Sequence, residues 1–253
     1  MAFIQLHVYS ESLGMQTSVN VVIPQKSTMG EIGLNDSVKS EAYKSLYLLH
    51  GLSDDQTIWM RRTSIERYAN EYGICVIMPF GGRSFYFDQQ NGEKYYTYIA
   101  KELPRIISEF LNVSDRREDR FIAGLSMGGY GALKIALKES DVFYAAAGLS
   151  SVADIHTEMF KTHLIGIAGE EQYLSKEEDL FALIEQKDGV ENKPKLYMWC
   201  GTDDFLYVDN VKLKEYIKNF HYDYTYEESE GAHMWECWDK QIQRVLEWMF
   251  KEV

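Results

Sequence analysis

Two hydrophobic periods alternate along this chain. Residues 3–9 and 15–23 alternate polar with apolar, most clearly around Ser18 and Asn20, and predict two half-buried strands joined through Gly14. Ser45–Leu49 and Ile74–Met78 are short unbroken apolar runs, the second closed by Pro79. Such runs fit strands covered on both faces. Phe121–Ala123, Phe143–Gly148, Lys195–Cys200 and Tyr222–Glu227 extend the series. Between them the spacing turns helical: about Trp59–Glu71, Tyr95–Leu111 with Pro104 as a kink or break, the segment after Ser126, Val208–Phe220, and Trp235–Phe250. In the last of these, Ile242, Val245, Leu246 and Met249 share a face. Residues 24–44 and 80–92 are rich in turn formers and predict loops. Strands alternating with helices, without repeats or low-complexity linkers, predict an α/β fold with a mostly parallel central sheet flanked by helices, as one domain over 1–253.

One junction between strand and helix carries chemistry. Phe121-Ile122-Ala123 leads into Gly124-Leu125-Ser126-Met127-Gly128, and Leu133, Ile135, Ala136 and Leu137 follow on one helical face. This is a Gly-x-Ser-x-Gly match in the strand–turn–helix context that gives the motif meaning. A serine perched on so sharp a turn exposes its hydroxyl. Its neighbours must be glycine because a Cβ would strike the adjoining strand and helix. The helix N-terminus also aims free N–H groups at an oxyanion forming nearby.

A serine hydroxyl needs a base to take its proton, and in this architecture the order is Ser, acid, His. His156 and His163 fall in a weakly patterned segment, and His221 precedes the last strand on the wrong edge of a parallel sheet. His233, between the last strand and the last helix, stands at a strand's C-terminal end, where α/β sites form. For the acid, Gly201-Thr202-Asp203-Asp204 follows the preceding strand, and the pattern divides evenly between Asp203 and Asp204. Asp209 reads as a helix N-terminal residue. The oxyanion donors fall to the N–H groups of Met127 and Leu52, the latter in the His50-Gly51-Leu52 loop. His50, ahead of the nucleophile, reads as a structural loop residue. Gly81-Gly82-Arg83 reads as a tight turn rather than an anion cradle.

Residues 150–190 are too long for an ordinary connection and too weakly periodic for a regular βα unit, with a short helix expected at Lys176–Glu185. They leave a strand end that should face Ser126, which predicts an inserted, lid-like segment. Phe160 and Leu164 are its candidate substrate-binding residues, Trp235 is a third, and the charges from Glu170 to Asp179 should face water.

Composition narrows the field. A net charge of −13 leaves no basic stripe for nucleic acid and would slow anionic substrates. No apolar run nears the roughly 18 residues that span a bilayer, and the N-terminus shows no signal-peptide pattern. Cys75, Cys200 and Cys237 are too few and too scattered for a disulfide framework or a zinc site, and no His/Asp/Glu spacing suggests a metal. A reducing cytoplasm and no cofactor are expected, with homo-oligomer formation left open.

Four blocks in order, His50-Gly-Leu-Ser-Asp-Asp, Ala-Gly-Leu-Ser126-Met-Gly-Gly-Tyr-Gly-Ala, Cys-Gly-Thr-Asp-Asp204-Phe-Leu and Gly-Ala-His233-Met-Trp-Glu-Cys-Trp, resemble the esterase D group of α/β-hydrolases over nearly the whole chain. The group spans S-formylglutathione hydrolases, tributyrin-type acyl esterases, and feruloyl or acetyl-xylan esterases. The resemblance implies an α/β-hydrolase fold and assigns the acid to Asp204, the fourth position of the Gly-x-x-Asp segment. It is closest to the bacterial tributyrin-type esterases. S-formylglutathione hydrolases usually carry a Gly-Leu-Thr-Cys-Thr-type loop and a His before the nucleophile, where this chain has Gly51-Leu-Ser-Asp-Asp and Leu125. Residues 150–190 hold no Trp, two Phe and one Tyr, which favours a small aliphatic acyl group over a feruloyl one. The expected activity is therefore a short-chain serine carboxylesterase. The alternatives are a feruloyl or acetyl-xylan esterase, then an S-formylglutathione hydrolase, and last a non-catalytic binding protein on the same fold.

Overall fold

The computed structural model describes residues 1–25 and 42–251. Most of the loop expected at 24–44 lies outside the described residues. The strands are β1 (Ala2–Ser10), β2 (Met15–Ile23), β3 (Ser45–Leu49), β4 (Cys75–Pro79), β5 (Arg120–Leu125), β6 (Ala145–Leu149), β7 (Lys195–Gly201) and β8 (Tyr224–Ser229). They form one sheet in the order β1-β2-β4-β3-β5-β6-β7-β8. β1 pairs with β2, and β2 with β4, in antiparallel fashion; the pairs from β4 to β8 are parallel. The helices are α1 (Ile58–Arg62), α2 (Ile65–Tyr72), α3 (Tyr95–Thr97), α4 (Leu103–Phe110), α5 (Met127–Lys138), α6 (Glu158–Ala168), α7 (Glu170–Tyr173), α8 (Leu180–Lys187), α9 (Tyr207–Ile217) and α10 (Trp235–Phe250).

The strand patterns follow from cover. β3, β4 and β6 are buried at every position, whereas β1, at an edge, alternates exposed Phe3, Gln5, His7 and Tyr9 with half-buried neighbours. Successive strand residues feed two cores. Leu46, Leu48, Phe121, Ala123, Tyr197 and Trp199 pack with α1, α2 and α10 on one face. Tyr47, Leu49, Ile77, Ile122 and Met198 pack with α5, α8 and α9 on the other. The result is a three-layer α/β-hydrolase fold.

Three local expectations are corrected. The helix expected over Trp59–Glu71 is two helices, because Thr63 breaks it: its hydroxyl donates to the Trp59 carbonyl at 2.6 Å and accepts from the Ile65 N–H at 3.1 Å. The helix expected over Tyr95–Leu111 runs on from Tyr95 to Phe110 but widens into a π-helical turn at Tyr98–Glu102, just before Pro104, where the widened turn accommodates a residue without an N–H. Residues 150–190 are largely helical. Their periodicity is weak because α6 buries only Leu164 and Ala168 fully. The short helix expected at Lys176–Glu185 begins at Leu180, where the Asp179 carboxylate caps the Phe181 N–H at 2.9 Å.

Candidate active site

β5 ends at Leu125 and α5 begins at Met127, so the whole reversal falls on Ser126, at φ 54° and ψ −119°. For a residue with a Cβ this costs of the order of 1–3 kcal/mol. Its surroundings enforce it: the Ser126 N–H donates to the Leu149 carbonyl at 2.9 Å, and the Tyr130 N–H to the Ser126 carbonyl at 3.0 Å. The flanking glycines are obligatory. A Cβ on Gly124 would stand 2.3 Å from the Gly128 carbonyl oxygen, and one on Gly128 would stand 2.6 Å from the carbonyl oxygens of both Leu49 and His50. Met127 opens α5, so its N–H has no intrahelical acceptor.

His233 stands in the turn between β8 and α10. Its Nδ1 lies 2.9 and 3.1 Å from the two carboxylate oxygens of Asp204. A carboxylate only accepts, so Nδ1 donates, which in a neutral imidazole leaves the lone pair on Nε2. Asp204 is closed off from solvent, and its carboxylate also accepts the Leu206 N–H at 2.9 Å. Burial raises its pKa, but the bonds from His233 and Leu206 outweigh that and hold it below the usual carboxylate range. Asp203 is turned to solvent, its N–H held by the Gly231 carbonyl at 2.9 Å. Asp209 pairs with Lys212 at 2.8 Å.

The other histidines lie elsewhere. His163 Nε2 meets the Arg83 carbonyl at 2.8 Å, His221 faces Asp188, and His156 approaches Asp179. His50 is buried, with Nδ1 donating to the Gly51 carbonyl at 2.8 Å and Nε2 accepting the Gly81 N–H at 2.9 Å. Burial pulls its pKa down and keeps it neutral. It joins the Gly51–Leu52 loop to the Gly81–Gly82 turn, whose first N–H is thereby spent on protein rather than open to an anion.

Ser126, His233, Leu52 and Met127 all line one cavity of about 670 Å³. Its walls include Phe85, Phe160, Phe205, Trp235 and Trp238, with Asp54 and Arg83 as its charged members. Phe205 and Trp238 flank the His233 ring, with centroids at 4.6 and 4.8 Å. Trp238 meets Trp235, and Trp235 meets Trp59, each pair edge-to-face at 5.2 Å. Phe160 and Trp235 are thus at the cavity, but Leu164 is not. Positions 160, 164 and 168 share a face of α6, and one turn beyond Phe160 that face has already entered the core. Sequence reasoning missed Phe85, Phe205 and Trp238, and set Arg83 aside with the Gly81–Gly82 turn, although it lines the cavity. Phe205 and Trp238 could have been found from their nearness to Asp204 and His233 in the chain; nothing local marks Phe85.

Among the described residues no helix is long and apolar enough to cross a membrane, and no cluster of three or more His, Cys, Asp or Glu could hold a metal. The family model Esterase, described as "Putative esterase", matches residues 10–249. An acetyl esterase of Caldicellulosiruptor saccharolyticus is 34% identical over 99% of both chains. Two Staphylococcus aureus structures, each aligned over 99% of both chains, are similar. The fluorophosphonate-binding serine hydrolase FphF has a TM-score of 0.87 at 36% identity, and the S-formylglutathione hydrolase FrmB has 0.84 at 35%.

Proposed function

The chain belongs to the Esterase family and is a carboxylic ester hydrolase, and from that premise we propose that it is a serine esterase of the esterase D group, tributyrin-type, cleaving short-chain acyl esters. Ser126 attacks the carbonyl carbon, and His233 Nε2 takes the hydroxyl proton. The N–H groups of Leu52 and Met127 hold the tetrahedral oxyanion. His233 then gives the proton to the leaving alcohol, and the acyl-enzyme is hydrolysed by the same steps with water as nucleophile. Asp204 fixes the imidazole tautomer and balances the imidazolium. The observation that carries this reading is the Asp204–His233 bond, opening onto the same cavity as the strained Ser126. The inserted segment 150–190 serves as a partial lid through Phe160. We assign the enzyme to the cytoplasm, with a small-molecule ester as its partner.

Ser126→Ala tests the mechanism. It should stay folded, lose labelling by a fluorophosphonate probe, and lower kcat by on the order of 10³-fold or more. Normal turnover in a folded Ser126→Ala protein would sink the mechanism. A thioester substrate is the second reading, favoured by the name of the FrmB structure; the aromatic cavity wall keeps a feruloyl ester as a third. Parallel assays with p-nitrophenyl acetate, S-formylglutathione and methyl ferulate separate the three. The short-chain reading expects the highest kcat/KM on the acetate.

A further inference from the structure

Lys134 sits in the middle of α5, two turns from Ser126, and has no exposed surface. Burial pulls its pKa down to about 8 against the pull of Glu178. A charge in such a place persists only if its donors are met. Its ammonium donates to Glu178 Oε2 at 2.6 Å, to the Tyr86 carbonyl at 2.9 Å and to the Phe85 carbonyl at 3.4 Å. The rings of Phe87 and Tyr130 stand around it, with centroids at 4.1 and 4.9 Å.

Two of those acceptors belong to an unusual backbone. Phe85 and Tyr86 are consecutive aromatic residues at φ 51° and 53°, a conformation that non-glycine residues rarely adopt and bulky ones still less. Tyr86 is pinned at its far end, where its hydroxyl donates to the His50 carbonyl at 2.9 Å. Its ring fills the space above Gly131, where a Cβ would stand 2.3 Å from it. Phe85 faces the cavity and meets Phe160 edge-to-face at 5.4 Å. Phe160 belongs to the inserted segment, and so does Glu178, whose charge was expected to face water with its neighbours but is buried against Lys134 instead. The Tyr130 hydroxyl adds a second tie to that segment, donating to the Glu178 carbonyl at 2.7 Å. The ammonium therefore bonds to both halves of this wall, the strained turn directly and the insertion through Glu178, beside the direct bond between His163 and the Arg83 carbonyl.

We propose that the buried Lys134–Glu178 pair is a specificity-positioning device, fixing the Phe85–Phe160 wall and thereby setting how long an acyl chain the cavity accepts. The inference rests on the esterase reading above. Neither residue lines the cavity, so both act through the two rings.

The test uses Lys134→Met, Glu178→Gln and the double variant Lys134→Met/Glu178→Met with p-nitrophenyl acetate, butyrate, hexanoate and octanoate. Rates are normalised to active sites titrated with a fluorophosphonate. In the single variants kcat on the acetate should stay within about threefold, while the hexanoate-to-acetate ratio of kcat/KM shifts by about fivefold or more, as expected when pocket contacts of methylene size change. A purely structural role would lower all chain lengths together and leave the ratio unmoved. Phe85→Leu should shift the ratio too, and adding Lys134→Met to it should add little. If Lys134→Met fails to fold, the double variant carries the test, since replacing a whole buried pair by apolar side chains is tolerated better than removing one partner. An unchanged ratio in the folded variants overturns the proposal and leaves the esterase reading standing. Failure of the wild type to hydrolyse any of the series or to label at Ser126 overturns both.

Discussion

Ser126 shows how little freedom a single residue has at this site. Its left-handed backbone is held by the Leu149 carbonyl and the Tyr130 N–H, and the glycines beside it are required by contacts under 3 Å. That constraint is local, which is why five consecutive residues announce it in the sequence. The acid was less legible. Asp203 and Asp204 are adjacent and alike, and residue pattern alone could not separate them. What separates them is the capture of the Asp203 N–H by the Gly231 carbonyl, which turns one side chain to water and the other to His233. Asp204→Asn is therefore expected to lower kcat by about 10³–10⁴-fold through the wrong imidazole tautomer. Asp203→Asn should stay within about twofold in the same steady-state assay. Comparable losses in both would contradict the assignment.

At the scale of elements, the central parallel strands were readable as unbroken apolar runs covered on both faces, and a helix such as α10 because one consistent face meets the sheet. The exceptions have identifiable causes. Thr63 competes for backbone bonds inside a pattern that otherwise continues, and Pro104 marked a break whose form, a π turn, no local signal specifies. In the insertion, Phe160 and Leu164 looked interchangeable as apolar residues one turn apart, yet one lines the cavity and the other is in the core. Their truncations should diverge. Leu164→Ala should cost about 2–5 kcal/mol in a denaturant titration and leave the acyl-length profile alone. Phe160→Ala should change the profile at smaller cost in stability. Phe85 was invisible because the partners of its ring and carbonyl, Phe160 and Lys134, are far away in the chain.

For the whole molecule, acid stability follows from carboxylates that the fold holds ionised. Glu102, at the end of the π turn, accepts from the Ser10 hydroxyl at 2.6 Å and from the N–H groups of Glu11 and Ser12 at 2.8 and 3.1 Å. It thus ties down the β1–β2 turn. Burial raises its pKa, but these bonds more than reverse that, and the net shift is downward. A carboxylate lowered on folding contributes stability in full above its unfolded pKa of about 4.3, and loses it as pH falls through the folded value. Glu102→Gln should therefore cost about 1–3 kcal/mol at pH 7. The gap from wild type should close as unfolding is measured at progressively lower pH. A gap that is constant with pH would mean that the charge is not what holds the turn.

The order of the strands has a consequence in time. Ser126, Asp204 and His233 leave three different strands, β5, β7 and β8, and the last is reached only after most of the chain has been laid down. Parallel neighbours are distant in sequence, so their pairing is intrinsically slow. On the proposed mechanism, hydrolytic competence should then be the final event of folding: a chain that has collapsed and formed its helices would still lack the proposed base, His233, until β8 docks on β7. In a refolding experiment, recovered turnover should lag the far-ultraviolet helical signal and coincide with the slowest phase. An immature chain would be protected from premature chemistry by topology alone.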